Sequence, residues 1–133
     1  MLARSDKSME DVIRQDGRYP VEAFAFLHDG LRHAVQKVHG DQAADAEPAQ
    51  RHVTGRQLCL VLRDLALERW GMLAKTVLAR WNIHATIDFG NMVYLLVDSE
   101  YMRKTADDSI EDFRDVYDFG EAFDVACDFE VKE

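Results

Sequence analysis

The chain has 133 residues, with 25 acidic and 16 basic side chains and a formal net charge of −9. This length suits one domain whose core needs no disulfide or metal, and the acidity argues against a general affinity for nucleic acid or anionic membranes. No apolar run reaches the ~18 residues that a membrane span needs, and residues 1–12 lack the apolar core of a signal peptide. Neither of the two cysteines lies in a Cys-x-x-Cys pair. We therefore expect a cytoplasmic protein with reduced thiols and a buried Cys59.

The charge is distributed unevenly along the chain. Residues 1–104 carry 14 acidic and 14 basic side chains, whereas residues 105–133 carry 11 acidic side chains against Arg114 and Lys132. The whole excess of negative charge therefore lies in the last 29 residues. Since 13 of these 29 residues are apolar, in contrast to disordered acidic tails, this acidic C-terminal segment is predicted to be folded.

The N-terminal part of the chain predicts two helices. Ser8 can cap the first helix, with Asp11 at its third position. Pro20 suits the first position of the second helix, where a missing N–H group costs nothing. Apolar residues then recur at three- and four-residue spacing until Gly40 ends the helix.

The stretch 41–51 predicts a mobile loop, because it contains no aromatic and no β-branched residue. A linker between two domains is the alternative reading of this stretch. However, the about 40 residues that precede it could hardly bury a core of their own. A single domain over residues 1–133 is therefore the prediction.

The middle of the chain predicts three helices joined by short turns. Thr54 and Gln57 form a capping box at the start of the third helix. Residues 58–67 are apolar over most of the helix circumference, so this helix is expected at the centre of the fold. Helical spacing resumes over residues 73–81, and Thr86 is predicted to cap a fifth helix.

The acidic C-terminal segment predicts a sixth helix and a strand. Thr105 can cap the helix, and Ile110, Phe113 and Tyr117 would lie on one face of it. Apolar and other residues alternate over 125–131, which predicts a short strand that could be an edge, a dimer contact or a frayed end. The expected fold class is mainly α, a single-domain orthogonal bundle of about six helices. The short C-terminal strand would be an addition to this bundle.

Catalytic and metal-binding motifs are missing from the sequence. Asp-Phe-Gly occurs at residues 88–90 and 118–120, but the other kinase motifs are absent. A calcium loop with Asp115 first and Gly120 at its sixth position would place Tyr117 and Phe119 at ligand positions, so the EF-hand template fails. The five histidines do not have metal-ligand spacing. We therefore predict no catalytic residue, no cofactor and no metal, and favour a non-enzymatic protein over an enzyme.

Four blocks of the sequence are distinctive, namely GRYPVEAFAFLHDGL, HVTGRQLCLVLRDLALERWGMLAKTVLARWNI, TIDFGNMVYLLV and DSIEDFRDVYDFGEAF. These blocks resemble a small family of bacterial conserved hypothetical proteins of unknown function. The His-x-Thr-Gly opening and the closing Tyr-Asp-Phe-x-Glu-Ala-Phe are specific features, and the similarity runs from about residue 9 to residue 124. Members usually have Gly-Ile where this chain has Asn82-Ile83. The resemblance implies a bacterial soluble protein and carries over no functional residue.

Two functions from different classes are compatible with this pattern. The first is a protein-interaction or regulatory module that docks on a basic protein partner through its acidic C-terminal segment, because the excess negative charge lies there together with aromatic rings of the kind that anchor interfaces. The alternative is that the rings pack inward and that the charges only keep the protein soluble. The candidate partner-binding residues are Asp112, Asp115 and Asp118 with the rings of Phe113, Tyr117 and Phe119.

The second function is a helix-turn-helix-like regulator that binds nucleic acid. Five basic residues lie between Arg56 and Ala85, and residues 78–86 faintly resemble the turn of DNA-reading proteins. The turn is one residue short, lacks the usual glycine, and precedes a helix whose first polar side chain after Thr86 is Asp88. A recognition helix should instead present basic or amide side chains there, so nucleic acid is the less favoured partner.

Overall fold

The computed structural model describes residues 8–40 and 52–124 of the chain. The mainly α fold that the sequence predicts is confirmed, and no strand occurs among these residues. The predicted loop at 41–51 and the predicted strand at 125–131 lie outside the described residues. The helices are α1 (Met9–Asp16), α2 (Val21–His39), α3 (Gly55–Trp70), α4 (Ala74–Arg80), α5 (Thr86–Asp98) and α6 (Phe119–Ala122), and 3-10 turns span Gly71–Leu73 and Ile110–Phe113.

Side-chain caps set the starts of α1 and α3 as predicted. The Ser8 hydroxyl accepts from the Asp11 N–H at 3.1 Å, and the Asp11 carboxylate accepts from the Ser8 N–H. Thr54 and Gln57 form the same reciprocal pair at the start of α3. Helix α2 begins one residue later than expected, with Pro20 in extended conformation as its N-cap.

The core of the domain is centred on the packing of α2 against α3. Gly30 in α2 faces Leu62 in α3 so closely that an added Cβ atom would collide with the Leu62 side chain. At one end of this contact, Phe26 packs against the rings of Trp70 and Trp81, with ring centroids 5.1 and 5.9 Å away. This cluster of three rings packs the C-terminal end of α4 against α2 and α3.

The start of α5 differs from the prediction, because Ala85 rather than Thr86 is the N-cap residue. The Asp88 carboxylate reaches back and accepts hydrogen bonds from the N–H groups of His84 (2.8 Å) and Ala85 (3.1 Å). Its other oxygen accepts from the Tyr19 hydroxyl at 2.6 Å. Since Asp88 satisfies the helix start, the Thr86 hydroxyl is available for another role.

The prediction of a helix after Thr105 is wrong. Residues 105–124 instead form a turn, the 3-10 turn Ile110–Phe113 and the four-residue helix α6. Short polar side chains in this segment accept hydrogen bonds from nearby backbone N–H groups, and Ser109 and Asp118 thereby cap the starts of the 3-10 turn and α6. Asp108 accepts from Thr105, Ser109 from Glu111 and Asp118 from Glu121. Together with like-charge repulsion between neighbouring carboxylates, these local bonds outcompete a continuous helix.

Candidate functional site

The 105–124 segment is attached to the helices through Phe113. Its ring is 4 % exposed and lies between two glycines, Gly55 at the start of α3 and Gly90 in α5. A Cβ atom on Gly55 would lie 2.7 Å from the ring, and one on Gly90 would lie 2.8 Å from the Phe113 Cβ atom. Because real Cβ contacts are longer than this, the two glycines together create the slot that the ring occupies.

Thr86 forms a second attachment between the segment and α5. This residue is 1 % exposed, and its hydroxyl donates to the Phe113 carbonyl oxygen at 2.6 Å. The same hydroxyl accepts from the Val116 N–H at 3.1 Å. One buried side chain therefore satisfies two backbone groups of a segment that has little secondary structure of its own.

Tyr117 forms the third attachment. Its hydroxyl donates to the carbonyl oxygen of Cys59 in α3 at 2.9 Å, and burial raises the pKa of the phenol well above its usual range. The ring stacks on Phe119, which in turn packs edge-on against Phe123. Cys59 itself is buried, as predicted, and burial raises the pKa of its thiol to about 12.

These contacts correct the predicted role of the aromatic residues. Phe113 and Phe119 are each 4 % exposed, and Phe123 is 5 % exposed, so their rings belong to the core. Tyr117 is partly buried against α3. The inward-facing alternative is therefore the one that the structure supports for the three phenylalanines, whose rings are unavailable as anchors for a partner. The sequence does not reveal the direction of these rings, because the glycine, threonine and carbonyl groups that hold the segment lie far away from it in the sequence.

The three predicted aspartates lie on the surface. Asp112, Asp115 and Asp118 are exposed, and Asp112 and Asp118 each accept a hydrogen bond from a nearby backbone N–H group. Asp115 has a left-handed backbone conformation with φ of 51°. We use the name acidic face for the exposed carboxylates of this segment, which are Asp107, Glu111, Asp112, Asp115, Asp118, Glu121 and Asp124.

Arg114 is the single basic residue between 105 and 124. Its guanidinium pairs with Glu111 at 2.7 Å, which lowers the pKa of the Glu111 carboxyl group. The acidic face therefore keeps a strong negative charge after this pair is counted.

A cleft of about 700 Å³ lies beside the 105–124 segment, and sequence reasoning missed it. Its walls come from α2, the start of α3, the end of α5 and residues 100–113. These elements are distant in sequence, so no motif or periodicity could have signalled the cleft. Its main apolar lining residues are Leu31, Val35, Leu58, Val93, Val97 and Met102.

Polar groups meet at one wall of this cleft. His52 Nε2 lies 3.1 Å from Asp108 Oδ1, and the other Asp108 oxygen accepts from the Thr105 N–H at 2.7 Å. His39 Nε2 donates to the His52 carbonyl oxygen at 2.7 Å and so joins the end of α2 to the wall. Tyr94 also lines the cleft, and burial, followed by the charges of nearby aspartates, raises the pKa of its phenol.

The region predicted as an alternative nucleic-acid site has another arrangement. Arg69 forms an ion pair with Asp29 in α2 at 2.9 Å, which lowers the pKa of that carboxyl group. Arg63 pairs with Asp64 and lies over the Tyr117 ring. In the helix that would have to read DNA, Thr86, Phe89 and Gly90 are buried. The first turns of α5 thus face the core, where they contact the C-terminal segment.

Among residues 8–40 and 52–124, no group of three or more His, Cys, Asp or Glu side chains is placed to hold a metal ion. Within the same residues, no helix combines the length and apolar character that crossing a membrane requires. No protein-family model, curated protein or solved structure matches the chain. The resemblance to bacterial conserved hypothetical proteins thus stays a prediction.

Proposed function

We propose that this protein is a non-enzymatic binding module of the bacterial cytoplasm that docks on a basic protein partner through its acidic face. The observation that carries the proposal is the inward packing of Phe113, Phe119 and Phe123. These rings hold the segment against α3 and α5, so the carboxylates project from a fixed surface. A surface that is ordered before binding loses less conformational entropy when a partner docks.

Charge supports the same proposal. Residues 105–124 carry eight acidic side chains and one basic side chain, which gives a charge of −7. Asp108 is engaged with His52 in the cleft wall, and the other seven carboxylates are those of the acidic face. A patch of one sign steers a partner of opposite charge and raises the association rate, and salt weakens the effect.

The test compares three forms of the protein as bait for bacterial lysate. The first is the natural chain, and the second carries Asp112→Asn, Asp115→Asn and Asp118→Asn, because asparagine also serves well as a helix cap. The third is a matched control with Glu22→Gln, Glu68→Gln and Asp98→Asn, three exposed carboxylates outside the acidic face.

We expect a basic protein to be retained by the natural chain and the control, and lost from the Asp112/Asp115/Asp118 variant or at high salt. Retention of the same proteins by all three forms would contradict the proposal. The nucleic-acid alternative finds no support in the geometry, since two of its arginines are paired and the start of α5 is buried. Titration with mixed duplex DNA at low salt is expected to show no binding.

A further inference from the structure

We propose that the cleft between α2, α5 and residues 100–113 binds an amphipathic organic anion, a small molecule with an apolar body and one carboxylate-type head group. This site shares Asp112 with the acidic face, but the proposal does not depend on the docking function proposed above. Size is the first argument. The cleft measures about 700 Å³, within the ~300–1,000 Å³ that small-molecule sites occupy.

The lining of the cleft favours an apolar body. Leu31 of α2 and Val97 of α5 remain partly exposed on it although each packs against the core, and Val35 of α2 is also partly exposed there. At one end the rings of Tyr94 and Phe113 meet edge to face, with centroids 6.5 Å apart. Since the Phe113 ring is held in its glycine slot, this end is rigid. An alkyl or aryl group in the cleft would cover the apolar side chains that water now contacts.

The charges of the cleft favour an anionic head. Three carboxylates lie in its walls, and each has a partner: Asp108 contacts His52 and the Thr105 N–H, Asp112 accepts from the Ser109 N–H, and Glu100 also interacts with another residue. Arg103 and Lys104 also line the cleft. Both are exposed, and neither forms an ion pair with any residue in 8–40 or 52–124.

Arg32 adds a third cation from the opposite element, α2. Its side chain is 71 % exposed and contacts Asp29 at 3.1 Å, a surface pair that contributes little free energy and can open readily. The formal charges of the lining therefore balance, with three cations and three carboxylates, and the two charged side chains without a partner among residues 8–40 and 52–124 are Arg103 and Lys104. Anion heads such as carboxylates match lysine and arginine side chains by charge-assisted hydrogen bonds.

The test uses three probes with the same ten-carbon chain, namely decanoate, decanol and decyltrimethylammonium. Isothermal titration and amide chemical shifts report on each probe below its micellar concentration. We expect decanoate to bind most tightly and the cation most weakly, with shifts concentrated on residues of α2, α5 and 100–113. Equal binding of all three probes, or no binding of decanoate at millimolar concentration, would overturn the proposal.

Variants locate the site. Val97→Trp and Val35→Trp fill the cleft from opposite walls, and each is expected to weaken decanoate binding about tenfold. Two such variants keep the test valid if one of them fails to fold, which circular dichroism would show. Val38→Trp is the matched control, because Val38 is 39 % exposed and does not line the cleft. Undiminished affinity in the folded filling variants would place the probe elsewhere and refute the site.

Charge reversal tests the head group. The pair Arg103→Glu and Lys104→Glu is expected to weaken decanoate binding roughly fivefold and to leave decanol binding unchanged. The control pair is Lys75→Glu and Arg80→Glu, two exposed residues of α4 that do not line the cleft. The same loss in both pairs would point to net charge rather than to this rim, and would contradict the assignment.

Discussion

The α2–α3 pair and the 105–124 segment both bury aromatic and aliphatic side chains, but they satisfy their backbones in different ways. Helices α2 and α3 do so locally, through helical hydrogen bonds and caps. The 105–124 segment depends on distant groups, namely the Thr86 hydroxyl, the Cys59 carbonyl and the slot formed by two glycines. Apolar spacing therefore indicates which side chains are buried, whereas the backbone conformation depends on what bonds to the N–H and C=O groups.

The strongest test of this comparison is Phe113→Ala, which empties the glycine slot. We expect the free energy of unfolding of the whole domain to fall by about 3–5 kcal/mol, as for other buried phenylalanines, in one cooperative urea transition. Phe24→Ala in α2 is the matched control, because Phe24 is 5 % exposed. A similar loss in both variants would show that the segment is as integral as α2. An unchanged midpoint for Phe113→Ala would show that it is a removable appendage.

Thr86→Val keeps the side-chain shape but removes the hydroxyl that serves Phe113 and Val116. We expect a loss of about 2–3 kcal/mol in the free energy of unfolding, since two backbone groups lose their partner. Urea denaturation measures it, with Thr76→Val at an exposed position of α4 as the control that changes little. A loss below ~0.5 kcal/mol would mean that water replaces the hydroxyl.

Gly90→Ala tests the slot from the opposite side. The added Cβ atom would lie 2.8 Å from the Phe113 Cβ atom, so we expect overpacking to cost about 1–3 kcal/mol. In the Phe113→Ala background the Cβ contact remains, but the ring carbons at 2.9 and 3.1 Å from the added atom are gone, so the same substitution should cost clearly less. Equal costs in the two backgrounds would show that the Phe113 ring does not help to exclude a side chain at position 90.

The smallest expected effect is a fall of the free energy of unfolding at alkaline pH, to which Tyr117 in the segment and Tyr19 outside it both contribute. Burial raises the pKa of Tyr19, which contacts α5, to about 12, and also raises the pKa of Tyr117. Unfolded tyrosine ionises near pH 10, so the unfolded chain loses these protons first. The contribution of these two phenols to the free energy of unfolding is therefore complete below about pH 10. It is lost as the pH rises from there through the folded-state pKa values.

Single substitutions assign this alkaline loss. Tyr117→Phe should cost about 1 kcal/mol at neutral pH, one hydrogen bond, and should flatten the fall of the free energy of unfolding between pH 9 and about 11.5. Tyr19→Phe is the counterpart outside the 105–124 segment. If both variants keep the natural slope, groups other than these two phenols cause the alkaline loss.

Much of the helical part could be predicted because its determinants are local. Ser8 with Asp11 and Thr54 with Gln57 cap their helices as the sequence indicates. Thr86 was assigned the wrong role, because its hydroxyl bonds to a segment that no local pattern links to α5. The same distance concealed the direction of the Phe113 and Phe119 rings. The cleft could not be predicted at all, since it exists only where four separate stretches of chain meet.

The slot around Phe113 has a consequence for how this sequence can change over evolutionary time. Gly55 and Gly90 lie on different helices, yet contacts with one residue, Phe113, oppose a side chain at both positions. In related chains we expect the three positions to change together, with alanine or serine at either glycine only where a smaller residue replaces the phenylalanine. Linked substitution at these three positions would identify the same attachment of the C-terminal segment in sequences whose helices are too diverged to align.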